Sequence, residues 1–245
     1  MPSGEFQLGL RIRLGAPCTD PATECARCGV PLGAANSHAF CCAQREATRG
    51  HYAVRHEVLV LAHLADPTAA AETAGLIPSA PALRLADILT SAALPGRLAA
   101  LDIGVTSPDA AGAGDDCCDA MQRRKRKQYQ RHLHELEVVQ GTAYRPMVWS
   151  TFGRAHPDAQ VMLAAMAAQA ARRRGLRDQR LILRRICGAI GVALVRRSVH
   201  MVLACTPHLD AEEERALFGS WEAPHHPQLR AISLIGGEAG AAGPA

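Results

Sequence analysis

Aromatic residues are scarce, at 4% of 245 residues: two tryptophans, three tyrosines and four phenylalanines. A core of packed rings is thereby excluded, and any core must be built from Ala, Leu, Val and Ile. Long apolar runs are lacking too. The nearest approach to a membrane span, Ile186 to Cys205, carries Arg196, Arg197 and His200 in its middle. Residues 1–17 mix Glu5, Arg11 and Arg13 with short apolar pieces, and never build the apolar stretch of a secretory signal. No internal repeat is present.

What is there begins with nine cysteines. Without a secretory signal they point to a reducing compartment, nuclear or cytoplasmic, where thiols serve metals more readily than disulfides. The length allows one medium domain or two small ones. A formal net charge of +4 is modest, but Arg123, Arg124, Lys125, Arg126 and Lys127 are consecutive and Arg172, Arg173 and Arg174 form a second cluster. Such runs suit phosphate backbones, and equally a solvated helix face.

Cys25-Ala-Arg-Cys28 is followed by His38 and Cys42. Two close ligand pairs on either side of a loop can close a tetrahedron around structural Zn²⁺, with Cys28-Gly29 fitting the tight turn such a pair needs. Cys18 and Cys41 are substitutes for the fourth ligand. From His51 the pattern turns helical, with Val54, Val58, Leu61, Ala62 and Ala65 on one stripe and a stop before Pro67. Arg55-His56, on that helix, reads as surface packing.

Two Leu- and Ile/Val-rich runs, Leu83–Leu89 and Arg97–Thr106, flank Ser91 and Pro95-Gly96 and predict a hairpin. With its turn centred near Leu94 and Pro95, Asp87 lies directly across from Asp102. Facing residues in an antiparallel pair hold their Cβ atoms about 4.5–5.5 Å apart, so two carboxylates there destabilise the pair unless a cation lies between them. Alternation sends Leu101, Ile103 and Val105 to one face and Ala100, Asp102, Gly104 and Thr106 to the other.

The order of these landmarks carries a resemblance. Cys-x2-Cys, His-x3-Cys, Arg-His, an acidic residue, Arg84-Leu-Ala-Asp87-Ile, Ala100-Leu-Asp102-Ile-Gly-Val-Thr-Ser-Pro and a basic helix ending in Tyr129 follow one another. From about Leu8 to Gly153 this succession resembles the C-terminal part of non-LTR (LINE-type) retrotransposon polyproteins, where a zinc knuckle precedes a restriction-like endonuclease of the PD-(D/E)XK class. The resemblance implies that Asp87 and Asp102 bind a catalytic Mg²⁺ or Mn²⁺ and that Glu72 assists. It also implies that Lys125, one helical turn before Tyr129, replaces the class lysine, whose usual place is here Gly104. Arg123, Arg124, Arg126, Lys127 and Tyr129 would hold nucleic acid. The chain departs from the family at Gly104 and at Ser150, where an acidic residue is usual.

The expected fold is α/β (α+β), a small mixed sheet flanked by helices and restriction-endonuclease-like. An N-terminal zinc-binding segment would cover 1–50, the nuclease core 51–153, C-terminal helices 154–206 and a flexible tail 207–245. Asp158–Arg174 and Gln179–Cys205 read as helices, with Arg184, Arg185, Arg196 and Arg197 outward. Two functions fit: a divalent-metal endonuclease acting on DNA, or a zinc-dependent module that binds nucleic acid, DNA or RNA, without cutting.

Overall fold

The computed structural model describes residues 3–20, 22–33 and 36–206, and the expected tail, 207–245, lies outside them. The chain opens with α1 (Ser3–Arg13), a single-turn α2 (Ala39–Cys42) and the long α3 (Gln44–Ala65). A two-residue β1 (Ala70–Ala71), β2 (Ile88–Leu94) and β3 (Arg97–Thr106) come next. Then follow α4 (Cys117–His134) with a π-helical turn at Glu135–Val139, β4 (Ala143–Ser150), α5 (Pro157–Arg173) and α6 (Gln179–Leu203). The sheet is mixed, in the order β1-β2-β3-β4, antiparallel except for the β3/β4 pair. α4 is the crossover that a parallel pair requires.

Alternation along β3 decides which face meets which helix. Leu101 and Ile103 join Met147 and Trp149 of β4 in the main core, against Val54, Val58, Leu61 and Ala62 of α3 and the inner stripes of α5 and α6. Ala100 and Tyr144 turn the other way, beneath Leu133 and Leu136 and the loop carrying Ile77 and Leu85. Asp102, between Leu101 and Ile103, belongs to that second face. α6 is the one helix among the described residues long and apolar enough to cross a membrane. Here it packs on α1, α3 and α5, with Ile182, Ile186 and Ile190 in the core.

Three expectations are corrected. The first strand is not Leu83–Leu89: β2 begins at Ile88, after a loop segment. Arg184 and Arg185 are exposed as expected, whereas Arg197 faces inward and is only 7% exposed, because α6 is covered on more than one side and its arginines do not share a face.

The hairpin turn is also displaced. Leu94 pairs with Arg97, leaving Pro95-Gly96 as the two-residue turn, with Gly96 at φ +66°, a conformation glycine adopts without a Cβ penalty. Further along, Thr90 pairs with Ala99, so β2 carries two more residues than β3 over this stretch. The surplus forms a bulge held by Asp66, the residue ending α3. Its carboxylate accepts from the Ser91 N–H and hydroxyl (both 2.8 Å), from the Thr90 hydroxyl (3.1 Å), and from the Thr68 N–H (2.9 Å) and hydroxyl (2.6 Å). Burial alone would raise the Asp66 pKa, but these bonds outweigh it and hold the group well below the usual carboxylate range.

Asp66→Asn removes the charge without the bulk and should cost about 1.5–3 kcal/mol at neutral pH, the usual worth of hydrogen bonds to a charged group. Because the folded pKa lies below the unfolded value, this contribution is present above about pH 4 and is lost as pH falls through the folded value. Denaturant titration of both proteins should show the gap narrowing in acid; an unchanged gap would contradict this account.

Candidate functional site

The β2–β3 pairing ends at Ile88↔Leu101, and Asp87, one residue before it, lies at a bend on the same cleft as Asp102. The Asp87 N–H donates to the Leu101 carbonyl (2.9 Å), one residue off the register of the ladder, so regular pairing stops at Ile88. Asp87 Oδ2 accepts from the Ile103 N–H (2.7 Å), and Oδ1 lies 3.2 Å from His51 Nε2. Asp102 accepts from Lys125 Nζ (2.6 Å) and from the Tyr144 hydroxyl (2.5 Å). Burial acts to raise both carboxyl pKa values. It prevails at Asp102, against the pull of Lys125 and Tyr144; at Asp87 the His51 contact and the Ile103 N–H win, and the pKa falls. Burial and the Asp102 carboxylate push the Tyr144 hydroxyl far up, so it remains a donor.

The two aspartates line a cleft of about 380 Å³ together with Glu72, Arg84, His51, Tyr52 and Tyr129. Glu72 N–H donates to the Asp87 carbonyl (3.0 Å), and Glu72 adopts φ +48°, unusual for a residue with a side chain. Its carboxylate is taken by Arg55 and by Arg84 (3.1 Å). Arg55 therefore does more than pack on the surface, and its guanidinium also lies 4.6 Å from the Tyr52 ring centroid. His56, its neighbour, is exposed.

Lys125 reaches the site because of Gly104. A Cβ built on Gly104 would stand 2.8 Å from Lys125 Cε, so the lysine stem occupies the space that a side chain at 104 would fill. Asp116 starts α4, accepting from the N–H groups of Cys118 (2.8 Å) and Asp119 (3.1 Å). Steps of 100° per residue then divide the basic run. Lys125 and Tyr129, four apart, turn to the sheet, where Tyr129 meets Tyr144 edge-on at 5.6 Å. Arg126 turns to Glu137 (3.7 Å) and the Tyr144 carbonyl (3.4 Å). Arg123, Arg124 and Lys127 are exposed.

Cys25, Cys28, His38 and Cys42 gather at the N-terminal segment and could hold a metal. Cys25 and Cys42 sulfurs are 3.9 Å apart, Cys42 and Cys28 3.7 Å, and Cys28 Sγ lies 3.0 Å from His38 Nε2. Tetrahedral zinc with Zn–S bonds of about 2.3 Å has S···S edges of about 3.8 Å, so the thiol spacings suit that ion. Gly29, at φ +74°, turns the chain under Cys25 and donates its N–H to the Cys25 carbonyl (2.8 Å). Against burial, the N–H groups of Arg27 and Cys28 hold the Cys25 thiol down at about 6. Between the open alternatives, Cys42 faces the cluster; Cys41 Sγ points to the Asp109 carbonyl (3.8 Å) and Cys18 Sγ to that of Ala16 (3.5 Å). A second group, Asp116, Cys117 and Cys118, is differently engaged: Arg154 grips Asp116, and burial pushes the Cys118 thiol up to about 12.

Comparison with protein-family models, with curated proteins and with solved structures gives no match. His51, Tyr52 and Tyr144 were not singled out from sequence. A signal was available for two of them, because the chain has only three tyrosines and Tyr52, Tyr129 and Tyr144 all stand at this cleft or beneath it. Ser150 lies four positions beyond Pro146, the partner of Asp102 on β4, or about 13 Å along a strand. An acid there would not have joined the aspartate pair.

Cys42→Ser should lose most bound zinc by metal analysis of the purified protein, and Cys41→Ser should keep it. The reverse order would assign the fourth ligand to Cys41.

Proposed function

We propose that the protein is a divalent-metal-dependent endonuclease-like domain, of retrotransposon origin, that cleaves DNA phosphodiester bonds, with a structural zinc at Cys25, Cys28, His38 and Cys42. The observation that carries this reading is that Asp87 and Asp102 line one open cleft, with Lys125 salt-bridged to Asp102 over Gly104. Two carboxylates beside one lysine form a donor set for Mg²⁺ or Mn²⁺ and a phosphate. An ionised carboxylate offers about four lone-pair sites; each aspartate has two hydrogen-bonding contacts, so room remains for a cation. A bound Mg²⁺ would supply an activated water and neutralise charge on the phosphate.

The chain's own groups do the remaining work. Tyr144 and Lys125 fix the Asp102 carboxylate, and His51 and the Ile103 N–H fix that of Asp87, so neither must reorganise to take a cation. Lys125, held by Asp102, would stabilise charge growing on a phosphate oxygen. Arg84 on the cleft and the exposed Arg123, Arg124 and Lys127 would hold the sugar-phosphate backbone without reading sequence.

A second reading, a nucleic-acid-binding module that does not cut, draws on Glu72. Its carboxylate is gripped by Arg55 and Arg84 and is poorly placed to assist a metal.

Purified protein with Mg²⁺ or Mn²⁺ should nick plasmid DNA, and Asp87→Ala and Asp102→Ala should abolish nicking while binding persists. DNA binding with no metal-dependent nicking by the wild type would favour the module instead. Lys125→Ala should lower the rate about 10²-fold, the scale of one lost charge-stabilising donor. Because Lys125 fills the place of a side chain at 104, adding Gly104→Lys to Lys125→Ala should recover part of that loss. A double variant no faster than Lys125→Ala would show that the two positions are not interchangeable.

A further inference from the structure

Away from the aspartates, α3 and α6 enclose a groove of about 420 Å³. Its walls carry Arg49, Arg55, Arg196 and Arg197 with His56 and His200, against Glu46 and Glu57. Several of these charges are engaged. Arg55 pairs with Glu72, Arg196 and His200 face Glu5 (3.9 and 3.6 Å), and Glu46 faces Arg27 (3.7 Å). Arg197 is different: it is more than nine-tenths buried, and its Nε and Nη1 meet no acceptor. Burial pulls its pKa down to about 10, with only the Cys41 thiol acting the other way. The position is built for it, since a Cβ on Gly50 would stand 2.2–2.5 Å from the Arg197 stem. A buried guanidinium without a counter-charge is destabilising, and it sits beside an open, net-basic groove.

The groove is not only basic. Tyr52, Ala53, Val192 and Ala193 supply an apolar wall, and Tyr52 is 47% exposed with the Arg55 guanidinium over one face of its ring. Its volume lies at the lower end of small-molecule sites, about 300–1,000 Å³. Guanidinium groups match phosphate, and an exposed aromatic ring offers a base a stacking surface. We propose that the α3–α6 groove binds a nucleotide, its phosphate drawn by Arg49 and the buried Arg197 and its base lying on the wall formed by Tyr52, Val192 and Ala193. Because Nε and Nη1 of Arg197 are closed to solvent, the charge acts through a weakly screened, low-dielectric wall. Tyr52 lines both groove and cleft, so the nucleotide can be free or a unit of a strand lying in the cleft. The proposal requires no chemistry at Asp87 or Asp102.

The test uses the full chain without Mg²⁺, titrated calorimetrically with dAMP and with a twelve-nucleotide single strand, for the wild type, Arg49→Glu, Arg197→Met and Asp102→Ala. dAMP affinity should fall at least tenfold in Arg49→Glu and Arg197→Met and stay within twofold in Asp102→Ala. If only the oligonucleotide binds, with the same tenfold loss in Arg49→Glu, the site takes a nucleotide unit of a strand. Ligand-free Arg197→Met should melt no lower than the wild type, because an apolar side chain replaces an unpaired buried cation; a lower melting temperature would give Arg197 a structural role and overturn its part. Arg49 is exposed, so Arg49→Glu keeps the test open if Arg197→Met does not fold. Failure of both ligands to bind the wild type, or undiminished binding to Arg49→Glu, overturns the proposal whether or not the protein cuts DNA.

Discussion

The hydrogen-bonded bulge in β2 is the constraint on which the rest of the cleft depends. The Pro95-Gly96 turn alone would set a register in which Leu89 faces Asp102 and Asp87 faces Gly104. Two surplus residues between Thr90 and Leu94 slide β2 along β3 until Ile88 pairs with Leu101 and Asp87 comes onto the cleft with Asp102, a displacement of about 7 Å at the rise of a strand. A shift of two keeps every side chain on its own face, so no core residue is turned out to solvent while the residues at the cleft change. Asp66 ties the bulge to the end of α3. The same helix presents His51 to Asp87 and Arg55 to Glu72. One helix thus supports both the strand that carries the first aspartate and the groups that orient it.

Bringing two carboxylates together is unfavourable, and the surroundings show how the fold tolerates it. Positive charge and donors come from three separate elements: Lys125 from α4, His51 from α3 and the Tyr144 hydroxyl from β4. Burial works against both anions and is outweighed only at Asp87. The pair is therefore asymmetric: the Asp87 pKa is lowered, and that of Asp102 is raised by burial against the pull of Lys125 and Tyr144. Gly104 permits that arrangement, since a side chain at 104 would drive the lysine away from Asp102.

Much of this was legible in local pattern. The core stripe Val54, Val58, Leu61, Ala62 and Ala65 follows from helical periodicity, and all five are buried. The alternation along β3 follows from period two. A turn centred near Leu94 and Pro95 implies the register Ile88↔Leu101, and the strands have that register although the turn is Pro95-Gly96, because the bulge makes up the difference of two residues. Asp87 itself lies just beyond the paired residues, at a bend. That bulge could not be read locally, for it depends on a carboxylate more than twenty residues upstream. The same holds for His51 and Tyr144, whose roles exist only once α3 and β4 are packed on the sheet. Spacing narrowed the metal ligands to Cys25, Cys28 and His38, while the choice of Cys42 over Cys41 waited for the direction in which α2 turns its side chains.

The N-terminal segment does more than carry its own cysteines. The Ala26 N–H donates to the Cys205 carbonyl just beyond α6 (2.9 Å), and Leu32, Phe40 and Cys25 pack with Val199, Met201 and Val202. A segment with so small a core would gain order from a metal at its centre, and that order would pass directly to the end of α6. α6 in turn packs along α3, which holds His51 and Asp66. A metal at Cys25, Cys28, His38 and Cys42 would bear on the aspartate pair only through two packed helices and the bulge, since no residue of the cluster lines the cleft. Loss of the metal should loosen the α3–α6 contact before it disturbs the sheet, because β3 and β4 are joined by an eight-residue ladder that owes nothing to the N-terminal segment.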